Sequence, residues 1–218
     1  MSGGKIQIAF NYDFDHFTDV IRHVPKSENI IIEAGTPFIK KEGIGVITRM
    51  RAFWPGQICA DMKVVDGAKN EVLMAKRAGA TSVTALGNSS YETLKIFIDT
   101  CKKLNMVSIV DMLGNENPLK TLWKANVVPD MVYIHRGRDE ENTYGKIIQY
   151  KDMIKIKGKW DIKTGAAGGI DKRELQSAVF NNSDVVVVNI VKPEDRWKGI
   201  VFDKDFENNL DSFLAFVK

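Results

Sequence analysis

Short runs of apolar and β-branched residues recur along the chain at 6–10, 30–33, 57–61, 82–86, 107–111, 131–135, 160–164 and 184–190, and each is followed by a stretch with helical spacing of its apolar positions. Parallel strands need crossover connections, usually helical, so strict alternation predicts a parallel sheet covered by helices. Eight strand-then-helix units is the number that closes a barrel. The pattern therefore predicts an α/β protein, a (β/α)8 TIM barrel, as one domain over residues 1–218. A doubly wound open sheet has the same local alternation and is the alternative. After the first run, Phe14, Phe17, Val20, Ile21 and Val24 form a stripe suited to packing on the outside of the barrel. Turn residues at 78–81, 126–130 and 181–184 end helices and lead into the next apolar run, as repeated bottom loops would.

Composition narrows the function classes. With 218 residues, of which 44% are hydrophobic, the chain has material for one sizeable core. Its 31 basic and 28 acidic residues are dispersed, and the net charge of +3 is not gathered into any like-sign block, which argues against nucleic acid as a partner. Cys59 and Cys101 are too far apart for a metal knuckle or redox pair, so a reduced, cytoplasmic location is expected. The start, Met1-Ser2-Gly3-Gly4-Lys5, carries no apolar leader, and no run is long enough to span a bilayer; a soluble protein without a membrane partner is expected.

Barrel enzymes place their chemistry at the C-terminal ends of the strands. Here those ends are polar: Asn11 after the first strand, Glu33 on the second, Asp61 and Lys63 on the third, Asp111 on the fifth and His135 on the sixth. Alternation puts Cys59, Asp61 and Lys63 on one face. An Asp61–Lys63 salt bridge capping a packed barrel is one reading. Glu33, Asp66 and Asp111 add carboxylates whose convergence needs Lys63, a proton or a divalent cation, and hard oxygen ligands suit Mg2+. In the stretch His135-Arg136-Gly137-Arg138-Asp139, the imidazole can act as acid or base while Arg138 holds an anionic substrate; a solvated loop with Arg138 paired to Asp139 is the alternative. His16 and His23 read as surface residues. In Gly165-Ala166-Ala167-Gly168-Gly169-Ile170, backbone amides can approach an anion before a helix that begins near Asp171, where barrels often bind phosphate.

These residues resemble the orotidine-monophosphate-decarboxylase suprafamily, and within it hexulose-6-phosphate synthase and 3-keto-L-gulonate-6-phosphate decarboxylase. The most specific element is Asp61-Met62-Lys63-Val64-Val65-Asp66, which is similar to an Asp-x-Lys-x-x-Asp signature; Glu33-Ala34-Gly35-Thr36-Pro37, Val110-Asp111-Met112 and Gly168-Gly169-Ile170 support it. The resemblance implies a homodimer with shared active sites, Asp66 of one chain completing the site of the other. It implies Mg2+ held by Glu33 and Asp61, and a phosphorylated sugar converted through a 1,2-enediolate. Lys63 would hold the oxyanion, Asp66 and Asp111 would complete the catalytic set, and His135 and Arg138 would assist proton delivery. Asn11, Gly168, Gly169 and Lys192 would bind substrate. The His-Arg-x-Arg-Asp run is similar to the decarboxylase and Asp111-Met112 to the synthase, so both branches stay open. Orotidine-monophosphate decarboxylases carry a lysine at the position of Glu33, which sets that activity lower. Two departures stand out: Asn11 replaces the usual aspartate, and 187–192 lacks the phosphate-gripping Gly-Arg pair, leaving Lys192 or Arg196 to take its place. The leading reading is a Mg2+-dependent lyase of a sugar phosphate, and a barrel that binds a ligand without turning it over is the alternative that the altered eighth-strand loop suggests.

Overall fold

The apolar runs form strands because both of their faces are covered, alternate side chains turning to surrounding helices and to the barrel interior. The computed structural model describes residues 4–141, 143 and 146–217; Met1, Ser2, Gly3 and the final residue of the expected 1–218 domain lie outside them. The first half comprises β1 (Lys5–Phe10), α1 (Phe14–Ile21), β2 (Ile30–Ala34), α2 (Thr36–Glu42), α3 (Val46–Arg51), β3 (Gln57–Val64), α4 (Ala68–Ala78) and β4 (Ser82–Leu86). The second comprises α5 (Tyr91–Lys103), β5 (Val107–Asp111), α6 (Pro118–Ala125), β6 (Met131–His135), α7 (Tyr150–Lys157), β7 (Lys163–Ala167), α8 (Lys172–Phe180), β8 (Val185–Val191), β9 (Ile200–Val201) and α9 (Phe206–Leu214). Strand order follows the chain, every pair is parallel, and β1 also pairs with β8. That pairing closes a (β/α)8 barrel and rules out the open sheet.

Alternation sets two apolar layers. Ile6, Ile8, Ile30, Ile32, Val186 and Val188 face the helices, whereas Ala9, Ile31, Cys59, Ile109, Tyr133 and Val187 pack with one another inside the barrel. Truncating a fully buried side chain of the outer layer, such as Ile32, costs ~2–5 kcal/mol. Several helices start where a short polar side chain supplies the missing acceptor: Asp13 accepts from the His16 amide, Ser90 from Thr93 and Asp171 from Glu174.

The structure departs from the sequence pattern in four places. The seventh strand is Lys163–Ala167 rather than 160–164, because Gly165 lies against the Tyr133 ring, where a Cβ would stand 2.5 Å from ring carbons; small residues that read as loop belong to the ladder. A ninth strand of two residues extends the end of β8, too short to show any period. His16 is buried, stacked edge-on to Tyr12 and Phe202, not a surface residue. Lys63 has φ 48°, and the β3–β4 register shifts between Ala60 and Val64, so simple alternation does not extend to Lys63. Both cysteines are free and buried, and no helix among the described residues is long and apolar enough to cross a membrane.

Candidate active site at the C-terminal mouth

Glu33, Asp61, Lys63, Asp111 and His135 converge at the C-terminal ends of β2, β3, β5 and β6. Lys63 Nζ lies 2.8 and 2.7 Å from the two Asp61 oxygens and 3.1 Å from Asp111 Oδ2. His135 Nδ1 lies 2.9 Å from Asp111 Oδ2. A carboxylate only accepts, so Nδ1 carries the donated proton and Nε2 is left for other partners. Thr84 Oγ1 donates to Asp61 Oδ1 at 2.8 Å, and Thr36 Oγ1 donates to Oδ2 at 2.8 Å. The expected Asp61–Lys63 salt bridge is therefore present, but as part of a larger network in which one ammonium spans two carboxylates.

Electrostatics divide the carboxylates. Burial pushes the Asp111 carboxyl up, but His135 and Lys63 outweigh it and hold it below its ordinary value. Burial likewise raises Asp61, and Lys63 brings it below the usual range. Burial lowers the Lys63 ammonium, yet Asp61 and Asp111 raise it on balance. Glu33 is compensated only in part: burial first, then the Asp61 charge, push its carboxyl up to about 7 against the opposing effects of the Gln7 hydrogen bond, Lys63 and His135. Its support is a relay through the barrel interior, in which the Tyr133 hydroxyl donates to Gln7 Oε1 at 2.6 Å and the Gln7 amide donates to Glu33 Oε2.

The donor set fits a small hard cation. No group of three or more His, Cys, Asp and Glu side chains among the described residues is arranged to hold a metal. Mg2+, however, commonly uses one or two carboxylates and completes its shell with water and substrate oxygens. Glu33 and Asp61 are two such carboxylates, and the unfavourable charge on Glu33 is what a cation would relieve. Lys63 holds both Asp61 oxygens, so a cation there would share Asp61 with its ammonium.

The loops after β6, β7 and β8 form a second zone. Gly168 and Gly169 have φ 99° and 64°, and a Cβ on Gly168 would fall 1.9 Å from the Arg136 carbonyl oxygen. Arg136 is buried and donates Nη2 to the carbonyls of Gly168 and Gly169 at 2.9 and 3.1 Å, fixing the loop's shape. Arg138 stacks over Trp197, 4.7 Å from the ring centroid, instead of pairing with Asp139. The Lys192 amide lies 3.2 Å from the Tyr12 hydroxyl oxygen and 3.2 Å from Asp195 Oδ2, while its ammonium sits 5.1 Å above the Tyr12 ring. Asn11 Nδ2 donates to Asn189 Oδ1 at 3.0 Å, tying the end of β1 to β8. Asp66 is exposed beyond β3 and joins none of these contacts.

Sequence reasoning passed over Gln7, Thr84, Tyr133 and Arg136. The first three sit at alternating inward positions of otherwise apolar strands, so counting in twos marks them. Arg136 carries no mark, because nothing in its run says which arginine turns inward.

The chain is thus a closed parallel barrel with an ionic, partly enclosed catalytic-type cluster at its C-terminal mouth. It belongs to the orotidine 5'-phosphate decarboxylase / HUMPS family, whose model matches residues 4–189. It is 34% identical over 211 residues to the bifunctional enzyme Fae/Hps of Methanoregula boonei, covering 96% of this chain and 51% of that protein. The chain spans about half the length of the curated relatives it matches. Among solved structures, 3-hexulose-6-phosphate synthase from Salmonella typhimurium superposes with TM-score 0.84 at 24% identity, covering 98% of each chain. The 3-keto-L-gulonate-6-phosphate decarboxylase from Vibrio cholerae gives 0.76 at 19% identity, covering 99% of this chain and 97% of that one. At those identities the structures bear on the fold.

Proposed function

We propose that this chain is a Mg2+-dependent carbon–carbon lyase of sugar phosphates, of the hexulose-6-phosphate synthase type, acting through a 1,2-enediolate. The observation that carries the reading is Glu33: a buried carboxylate pushed up to about 7 beside Asp61, with Lys63 and His135 on Asp111 within the same cluster. A structural ion pair alone has no use for that third carboxylate. Mg2+ held by Glu33 and Asp61 would supply positive charge for two neighbouring oxygens of the substrate.

The chain's own groups account for the rest. Lys63, kept protonated by Asp61 and Asp111, stabilises negative charge developing on the sugar oxygen. His135, oriented through Nδ1 by Asp111, offers Nε2 to carry the proton between substrate carbon or oxygen and solvent. In the synthase direction the C1 proton of ribulose 5-phosphate leaves, C1 attacks formaldehyde, and the new hydroxyl takes up a proton. The loop of Gly168 and Gly169, shaped by Arg136, receives the phosphate, with Lys192, Arg138 and Asn11 along its edges. The exposure of Asp66 accords with a homodimer in which it completes the other chain's site.

A second branch, decarboxylation of a keto-gulonate phosphate, is supported by the His-Arg-x-Arg-Asp run, in which His135, held by Asp111, would return a proton to the enediolate carbon after CO2 leaves. Condensation of ribulose 5-phosphate with formaldehyde and release of CO2 from 3-keto-L-gulonate 6-phosphate, each measured with and without Mg2+, distinguish the branches. The proposal expects condensation to dominate and to require Mg2+; a folded protein that binds these sugars and turns over neither overturns it in favour of a ligand-binding barrel.

A further inference from the structure

The barrel has a second opening. On the face opposite Glu33 and Asp61, the N-terminal ends of β1 to β8 surround a cavity of about 830 Å3, within the size range of small-molecule sites. Barrel interiors are normally filled by layers of side chains. Here the lower layer is thin, because Ser82, Val107 and Val185 are short and Gly165 has no side chain to contribute. Ile31, Ile109, Met131 and the Tyr133 ring make an apolar patch inside, with Trp160 in the wall and polar groups such as Thr81, Ser82 and Asp130 beside them.

Charge at this mouth is not balanced where it matters. Lys5 and Lys163 open β1 and β7 on either side of β8, and burial first, then the Lys163 charge, lower the Lys5 ammonium. Lys5 Nζ reaches only neutral acceptors, the Glu28 carbonyl and Gln57 Oε1, each at 3.0 Å. The Glu28 charge offsets part of the repulsion at Lys5, and two further acids are engaged elsewhere. Asp130 accepts from the Ser108 amide and hydroxyl at 2.8 and 2.7 Å. Asp184 accepts from the Thr164 amide at 2.7 Å and pairs with Lys157 at 2.7 Å. Asp161 is exposed on the rim. What remains is two ammonium groups above an apolar hollow.

We propose that this cavity is a binding site for a small organic anion with a flat apolar body, its acid group held between Lys5 and Lys163 and its body against Ile31, Ile109, Tyr133 and Trp160. None of Glu33, Asp61, Lys63, Asp111 and His135 lines the cavity, whose wall meets the catalytic mouth through Tyr133, the hydroxyl of which reaches Glu33 by way of Gln7. The claim does not rest on the reaction proposed above.

Anilinonaphthalene sulfonate has the required shape and charge, and titrating it into the full chain, by fluorescence and by calorimetry, tests the site. One saturable dye per chain is expected, quenching Trp160 emission and unaffected by saturating ribulose 5-phosphate. The Lys5→Gln/Lys163→Gln double variant, which loses both charge-assisted contacts, should weaken it by about tenfold or more. Lys163 is exposed, so Lys163→Glu alone repeats the test without touching the core. Absence of saturable binding, unchanged affinity in both variants, or displacement by the sugar phosphate would each overturn the proposal.

Discussion

Replacing Glu33 by glutamine separates stability from activity. The side chain is buried, its carboxyl is pushed from 4.5 up to about 7, and Gln7 already donates to one oxygen, which an amide oxygen accepts equally well. The ionised form is disfavoured in the folded chain. Its penalty is therefore absent below 4.5, grows as pH rises, and is complete above about 7. At about 1.4 kcal/mol per pH unit of displacement, it reaches on the order of 3 kcal/mol. Glutamine never ionises. In urea melts with chelator present, Glu33→Gln should be more stable than wild type by roughly 2–3 kcal/mol near pH 8, and by under about 1 kcal/mol near pH 5. Mg2+ should stabilise wild type and close part of the gap at the higher pH, because it binds only the folded chain. Turnover should vanish in the same variant. A Glu33→Gln protein less stable than wild type at the higher pH, or a difference that does not change with pH, refutes the reasoning about this carboxylate.

Three other substitutions probe the surrounding contacts. Asp61→Asn removes the carboxylate that holds Lys63 and accepts from Thr84 and Thr36, and should lower turnover by about 10³-fold or more while destabilising the fold by ~1–3 kcal/mol; steady-state kinetics and urea melts check both. Asp111 is held below its ordinary 3.8, so it contributes stability above that value and loses it as pH falls toward the folded value. Asp111→Asn should accordingly be destabilised at neutral pH and converge with wild type in acid, as read from circular-dichroism melts across the pH range. Arg136→Lys loses the two-carbonyl grip on Gly168 and Gly169 and should raise KM for the sugar phosphate about tenfold with a smaller change in kcat.

Which of these features could be read before folding follows from their physical origin. The barrel was legible because apolar runs covered on both faces recur with helical stretches between them, and all eight strands formed near their expected positions. The seventh shifted by three residues at its start because Gly165 is small for a tertiary reason, the Tyr133 ring beside it. Glu33, Asp61, Asp111 and His135 were legible because a charged residue at the end of an apolar strand needs partners. The Asp61–Lys63 pair was legible too, but its extension to Asp111 was not: Lys63 reaches Asp111 across the barrel mouth through a left-handed backbone turn that no propensity signals. His16 was misjudged because a histidine on a helix says nothing of the loop that covers it, here the segment around Phe202 and Lys192.

The central claim is that the C-terminal mouth generates a metal-dependent enediolate from a pentulose phosphate. Proton NMR in D2O tests it most directly, following deuterium exchange at C1 of ribulose 5-phosphate with the purified chain, with Mg2+ and with chelator. The account predicts exchange that requires Mg2+ and disappears in Glu33→Gln. Exchange at the same rate in chelator, or none from folded protein at saturating substrate and Mg2+, would contradict it.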